Sequence, residues 1–358
     1  MKIGLFTSDL GKGGAERVMS LMANYWSSKG NEVIFFTAGN AYESYFLENR
    51  VNRVSFNFSN SKSPWAFINN TRKKIGIIAE ALVVHQVDCL VSFTTACNIL
   101  ACYAAKRASV PLVISDRVTP ELDPIPVYWK MMRKIAYRKA SCLVLQTQGV
   151  LRCYSSYNVR KVIINNSISE IPVRQNVARK NIIINVARLE PQKNHKLLIR
   201  AFSKTKNPDW RLQILGDGSE RNSLLELVSE LGLHDRVDFL GVVDDVFTYL
   251  YVASIFVLSS NYEGYPNSLL EGMATGLACI STSCDFGPSE IIDDYKNGIL
   301  TTVGKVEEMT RVLEEVMEDE DLRKELGSRA ESIKDKLKLD TIMGQWDAIL
   351  EDFGTLYV

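Results

Sequence analysis

Short apolar runs alternate along this chain with longer stretches in which apolar residues return at helical spacing. In the first half the runs fall at 2–7, 32–38, 51–56, 88–93, 112–115 and 141–145. They are rich in Val, Ile and Phe with few polar breaks, the pattern of strands covered on both faces. The spacing predicts helices between them, over 15–29, 65–85, 95–109, 127–139 and 146–156. The second half starts again, with strands expected at 182–186, 211–215, 237–240, 255–258, 278–281 and 298–300. Helices fall between these at 194–204, 219–231, 246–251, 266–275 and 289–293, and the pattern beyond Gly304 is helical only, over 306–318, 321–337 and 340–352.

Strand–helix alternation of this kind implies parallel sheets built from βα units. The fold class expected is α/β, with two doubly wound, Rossmann-like domains and a helical C-terminal tail. The polar stretch 168–181, with Pro172, marks the change-over. The domains expected are 1–170, 171–337 and a final helix, 338–358, packing back on the first domain. Ligands of such sheets bind beyond the carboxyl ends of the strands, so two facing sheets would make an interdomain cleft.

Composition narrows the class. At 358 residues, 46% hydrophobic and 23% charged, the chain reads as an ordinary globular protein. No apolar run approaches the ~18–20 residues of a membrane span, and the N-terminus reads as a strand rather than a signal peptide. The seven cysteines form no Cys-x-x-Cys pair and sit among apolar neighbours. They read as buried thiols of a reducing cytosol, and no metal site is expected. The net charge of zero divides into +10 over residues 1–172 and −10 over 173–358. A basic first half suits an anionic partner, either a phosphorylated acceptor or an anionic membrane surface, or reflects only two domains of different pI. Nucleic acid is not expected, since the acidic half would repel it and no recognition motif is present.

Three segments carry candidate chemistry. The first βα turn, Thr7 to Arg17, holds Gly11, Gly13 and Gly14 ahead of a helix, where backbone N–H groups can approach a phosphate. It is a poor dinucleotide fingerprint, because Glu16 stands where the third glycine belongs. The second domain opens with a strand that delivers Arg188 and Lys193, five residues apart, to the loop before a helix. Two cations there suit a diphosphate whose charge grows as it leaves. The third segment runs from Asn261 to Gly276. Pro266 is expected as its first helical residue, which puts Glu263 in the loop and Glu271, eight residues on, within the helix. Two such carboxylates can hold hydroxyls at separate points of one ligand, or be a surface Glu and an acid favoured by the helix dipole.

Taken together these residues resemble the retaining glycosyltransferases of family 4, which have the GT-B fold, and the resemblance covers essentially the whole chain. Gly13-Gly14-Ala15-Glu16 is similar to the family's glycine loop. Arg188 and Lys193 lie in a segment similar to its Gly-Arg-Leu-x-x-x-Lys-Asn, with Ala187 in place of the Gly, and Glu263 and Glu271 match its E-x7-E motif. The resemblance implies transfer of a hexose or N-acetylhexosamine from a UDP-sugar with retention of configuration and without a metal or other cofactor. Glu271 would bind the ribose and Glu263 the transferred sugar. Arg188 and Lys193 would neutralise the diphosphate, and Gly13 and Gly14 would close on it. Gly264, Tyr265, Pro266 and Asn267 would complete the donor site. Catalysis would fall to Glu263, Arg188 and Lys193.

Many family members carry a histidine after the strand at 112–115, where this chain reads Ser115-Asp116-Arg117-Val118-Thr119-Pro120. Asp116 and Arg117 are therefore expected to contact acceptor or sugar. With Phe286-Gly287-Pro288-Ser289-Glu290, this resembles a subgroup that extends glycans on polyprenyl diphosphate carriers. The stretch Tyr128 to Lys139 combines five cations with aromatic and apolar residues, and Arg72-Lys73-Lys74 adds to the basic count. A helix of that composition can lie in the headgroup region of an anionic bilayer, or pack on the sheet with a solvated basic side. The expected location is cytoplasmic, at the inner face of the cell membrane. Two other functions compete: a nucleotide-sugar epimerase on the same fold, and a catalytically silent subunit that binds nucleotide or membrane.

Overall fold

The computed structural model describes residues 1–11, 13–39, 45–58, 64–117, 126–168, 171–172 and 177–354, with the side chains of 64–69 left aside. The chain divides into two compact units, the first comprising Met1–Ser167 with Asp340–Val358 and the second Ile168–Leu339.

Unit 1 runs β1 (Lys2–Thr7), α1 (Gly14–Ser28), β2 (Glu32–Thr37), β3 (Asn52–Ser55), α2 (Pro64–Val84), β4 (Cys89–Phe93), α3 (Thr95–Ala108), β5 (Leu112–Ser115), α4 (Val127–Ala136), β6 (Cys142–Leu145), α5 (Gln148–Cys153) and β7 (Lys161–Ile163). Its seven strands lie in the order β3-β2-β1-β4-β5-β6-β7, every pairing parallel. Strands β4, β5 and β6 are buried along their whole length, as strands sandwiched between helices must be. The sequence pattern does not predict β7, because three residues that include a lysine give no apolar run to detect.

Unit 2 repeats the scheme with β8 (Ile182–Val186), α6 (His195–Ser203), β9 (Arg211–Leu215), α7 (Arg221–Glu230), β10 (Val237–Gly241), α8 (Val246–Val252), β11 (Ile255–Leu258), α9 (Asn267–Ala274), β12 (Ala278–Thr282), α10 (Pro288–Ile291) and β13 (Ile299–Thr301). The helices α11 (Val306–Glu318), α12 (Glu320–Glu331) and α13 (Ile333–Lys336) follow. Its six strands are ordered β10-β9-β8-β11-β12-β13 and again pair in parallel. The core joins Ile183, Leu198, Phe202, Trp210, Ile214 and Ile280 to Leu313 and Val316 of α11. The expected helix over 321–337 is broken at Ser332 into α12 and α13.

The last helix, α14 (Leu339–Gly354), packs within unit 1 from Asp340 onward. Trp26 Nε1 of α1 donates to Asp347 Oδ1 at 2.7 Å, and Trp346 lies 6.0 Å from the Phe93 ring. Arg160 pairs with Asp352 at 2.7 Å. Ile342, Met343, Ile349 and Leu350 are buried beside Trp346, so an apolar face and one indole hydrogen bond dock the helix.

The helix α4 departs from a simple basic amphipath. Arg133 points inward and donates Nε to Tyr157 Oη at 3.2 Å, so it is no part of a surface charge. The solvent side instead carries Val127, Tyr128, Met131 and Ile135, exposed at 72, 46, 69 and 56%, with Lys134 and Arg138 exposed beside them. All seven cysteines are free thiols, and all but Cys153 are buried. Burial pushes the Cys97 thiol up to about 12 and Cys142 to about 11, so both stay protonated at neutral pH.

Candidate active site

Both sheets have a switch point, between β1 and β4 in unit 1 and between β8 and β11 in unit 2. The expected donor residues of unit 2 gather at the carboxyl ends of β8 and β11, where an open parallel sheet binds ligands. Beyond β8 the chain passes Arg188, makes a short 3-10 turn over Pro191–Lys193 and enters α6 through Asn194. Asn194 takes a left-handed conformation (φ 46°) and caps α6 by accepting from the Leu197 N–H at 3.3 Å. Arg188 is exposed.

The loop after β11 is laced to this segment. Asn261 N–H donates to Gln192 O at 2.8 Å, and Asn261 Nδ2 donates to Pro191 O at 3.0 Å. Gln192 Nε2 donates to Tyr262 O at 2.9 Å, and Ser259 Oγ to Lys193 O at 2.9 Å. These bonds bring Lys193 Nζ to 2.5 Å from Glu263 Oε1, which also accepts from Ser260 Oγ at 2.6 Å. The Lys193 and Glu263 side chains are only 17 and 7% exposed, so the pair is mostly shielded from solvent and its geometry is held on both sides. A backbone bridge from Glu263 to Phe286 fixes the carboxylate's own main chain.

The helix α9 begins at Asn267 rather than Pro266. Pro266 is its N-cap, extended at ψ 107°, and its carbonyl accepts from the Leu269 and Leu270 N–H groups. No side chain caps this end, which leaves its first N–H groups aimed outward, the arrangement that favours an anionic or hydroxyl ligand. Gly264, Tyr265 and Asn267 line the approach and are half-buried, and burial raises the Tyr265 phenol above its ordinary range. Glu271, one turn inside α9, is buried.

The loop that carries Arg188 is clamped by two glycines outside the three segments singled out from sequence. Gly216 has φ 132°, and a Cβ there would lie 2.0 Å from Ala187 O. A Cβ on Gly218 would lie 2.5 Å from Leu189 O, and Leu189 N–H donates to Asp217 O at 3.0 Å. The visible signal was Gly216-Asp217-Gly218 directly after β9, a turn composition at the ligand end of a strand. Ser260 gave no signal, since a serine at a strand end has no motif of its own.

Unit 1 holds the other candidates. Gly13 is the N-cap of α1 and Gly14 its first residue, with no side-chain cap. The Glu16 carboxylate folds back so far that a Cβ on Gly13 would lie 2.0 Å from Glu16 Oε2. Lys12 and 118–120 lie outside the described residues. Asp116 and Arg117 follow β5. Asp116 is 2% exposed and accepts from Tyr137 Oη, Tyr154 Oη, Asn98 Nδ2 and Thr95 Oγ1. Arg117 lies over the Phe93 ring, 4.0 Å from its centroid.

Residues 12–170 match the family described as Glycosyltransferase Family 4, and residues 167–333 match Glycosyl transferases group 1. Campylobacter jejuni GalNAc-alpha-(1->4)-GalNAc-alpha-(1->3)-diNAcBac-PP-undecaprenol alpha-1,4-N-acetyl-D-galactosaminyltransferase is 29% identical over 97% of each chain. The N-acetylgalactosamine-N,N'-diacetylbacillosaminyl-diphospho-undecaprenol 4-alpha-N-acetylgalactosaminyltransferase of the same organism is 27% identical, over 92% of this chain and 94% of the relative. In fold, the chain is similar to Anabaena HepE, solved in complex with UDP, at a TM-score of 0.83 and 21% identity, over 98% of this chain and all of that one. Two parallel Rossmann-like units, the motif residues gathered at one sheet's ligand end, and two adjoining family matches converge: the chain is a glycosyltransferase of family 4, with the GT-B fold.

Proposed function

We propose that this enzyme transfers a hexose or N-acetylhexosamine from a UDP-sugar to a polyprenyl-diphosphate-linked oligosaccharide, with retention of anomeric configuration. The observation that carries the reading is the Lys193–Glu263 pair at the mouth of α9. Sugar transfer from a nucleotide diphosphate needs a cation where the leaving oxygen gains charge and an acceptor group at the sugar's hydroxyls, side by side. Lys193 and Glu263 supply the two within one hydrogen bond.

Arg188 and Lys193 neutralise the departing diphosphate, the charge that a divalent cation supplies in other transferases. Glu271 binds the ribose hydroxyls. The N–H groups at the start of α9, with Gly264, Tyr265 and Asn267, receive oxygens of sugar and phosphate. In unit 1, Gly14 at the start of α1 offers its backbone N–H to a phosphate oxygen, while the Gly13 N–H donates to the Gly11 carbonyl at 2.9 Å and shapes the turn. Glu263 orients the sugar and stabilises positive charge on its ring as the bond to the leaving oxygen stretches. The lipid-linked acceptor is supported by the relatives named above, whose names give undecaprenyl diphosphate glycans as their acceptors.

The same acceptor gives α4 a role. No helix among the described residues is long and apolar enough to cross a membrane. The solvent-facing Val127, Met131 and Ile135, with Lys134 and Arg138 at their side, are suited to lie in the headgroup layer of an anionic bilayer at the inner face of the cell membrane.

A screen of UDP-sugars against lipid-linked oligosaccharide extracts, read by mass spectrometry and by NMR of the new anomeric bond, tests the reading. Mass gain with retained configuration is expected. No transfer with any donor overturns it, and isomerisation of a donor without acceptor would point to the epimerase reading instead.

A further inference from the structure

The ligand end of unit 1 holds a cation that the reaction as described leaves without a defined task. Arg117 lies beyond β5, beside the switch point between β1 and β4. Its guanidinium stacks over Phe93, the last residue of β4, and that ring also meets Trp346 of α14 at a 32° tilt. Arg117 Nη1 donates to Asn166 Oδ1, which accepts from Gln146 Nε2 as well, at 2.6 Å. Arg117 Nε is buried without an acceptor. Burial draws the guanidinium from 12.5 down to about 9, against the opposing pull of the Asp116 and Glu16 carboxylates. No carboxylate among the described residues makes an ion pair with it. A desolvated cation in that state is costly unless something else supplies the negative charge.

The neighbouring Asp116 cannot do so directly, because its oxygens are engaged inside the unit. Tyr137 Oη lies at 2.8 and 2.7 Å from the two of them, Tyr154 Oη at 2.5 Å and Asn98 Nδ2 at 2.8 Å. Hydrogen bonds of this number fix a carboxylate in place. Burial, and then Asp116 itself, holds both phenols well above their ordinary range, so they remain donors. The effect is to pin the residue just before Arg117 at the carboxyl end of the sheet.

We propose that Arg117 is the receptor for a phosphate oxyanion in unit 1, and that Asp116 is the positioning residue that holds it there. The proposal rests on the sugar-transfer reading above and names the group bound. A planar guanidinium fixed on an aromatic ring matches two oxygens of one phosphate, which a lysine would meet only as a point charge. Two diphosphates occur in that reaction, the donor's and the acceptor's, and both carry the group.

The test uses the full chain. Arg188 and Lys193 would bind the same probes, so a variant with Arg188→Ala and Lys193→Ala is the background. UDP and farnesyl diphosphate are titrated into it by calorimetry at low salt, with and without Arg117→Ala or Arg117→Lys. One probe should bind and then weaken about tenfold or more in both Arg117 variants, the loss expected of a charge-assisted pair. Farnesyl diphosphate responding identifies the acceptor as the source, and UDP identifies the donor. Arg117→Lys carries the test if the alanine variant fails to fold. Asp116→Asn, measured well below its melting temperature, should weaken the same probe, and adding Arg117→Ala to it should cost nothing more. Affinity unchanged by either Arg117 variant, or no binding before Arg117 is altered, overturns the proposal. Absence of sugar transfer by the unmodified enzyme would instead strike the reading above and leave the binding result standing.

Discussion

Lys193 and Glu263, seventy residues apart, meet at 2.5 Å with the Ser260 hydroxyl on the same carboxylate oxygen. Before any donor arrives, each charge is therefore matched by the other. On the donor-site reading proposed above, a diphosphate entering beside Lys193 would compete with Glu263 for the cation, and the sugar's hydroxyls would offer Glu263 new partners in return. Lys193→Ala should lower kcat by about a hundred- to a thousandfold, the typical effect of removing a donor that stabilises developing charge. It should also destabilise unit 2, by less than the ~3–5 kcal/mol of a fully buried pair because Lys193 keeps some exposure. Glu263→Gln in the Lys193→Ala chain should restore stability and not turnover. Steady-state kinetics beside urea denaturation separate the two effects.

Glu271→Ala should act on binding. A buried carboxylate that holds ribose hydroxyls contributes charge-assisted bonds of ~1.5–3 kcal/mol, so UDP affinity should fall about ten- to a hundredfold. Calorimetry with UDP measures this directly, and a variant that binds UDP as the unmodified enzyme does would remove Glu271 from the donor site.

Much of this was legible in the sequence. The parallel sheets follow from apolar runs too short for helices, and Pro266 at the helix start places Glu263 in the loop and Glu271 within the helix. What could not be read is which groups hold those residues. The donors on Asp116 come from Thr95 and Asn98 of α3, Tyr137 of the 3-10 turn after α4, and Tyr154 of the turn after α5, and no local pattern joins them. The same holds for Arg133, whose inward turn depends on Tyr157, a residue of a different element. Periodicity assigns faces to a helix, but long basic side chains are apolar over most of their length and can enter a core when a hydroxyl awaits them.

Gly216 links fold to site. Its φ of 132° is strained for any residue with a side chain, and a Cβ would meet the Ala187 carbonyl oxygen at 2.0 Å. Gly216→Ala should therefore cost at least about 2 kcal/mol, by backbone strain and forced movement of the loop. Because that loop carries Arg188, turnover should fall although residue 216 touches no substrate. Thermal melting and kcat together test it; a variant with normal melting and normal turnover would count against the clamp.

His195 gives unit 2 a pH dependence. The imidazole is fully buried at the start of α6, and neither nitrogen has a hydrogen-bond partner. Burial lowers its pKa from 6.5 to about 4, and the charge of Lys193 adds to the shift. The folded protein keeps His195 neutral while the unfolded chain protonates below pH 6.5, so protons favour unfolding. Stability from this residue is complete above pH 6.5 and falls as the pH drops toward 4, by about 3 kcal/mol in all. His195→Leu removes both the titration and two unsatisfied polar atoms. The urea midpoint of the unmodified protein should accordingly fall further between pH 7 and 4.5 than that of the variant. Parallel declines in the two proteins would mean that His195 is protonated in the folded state, with a partner for the charge. The site has consequences here too: a neutral His195 adds no positive charge behind Lys193, so the charge available to the proposed diphosphate comes from Lys193 and Arg188 of the loop.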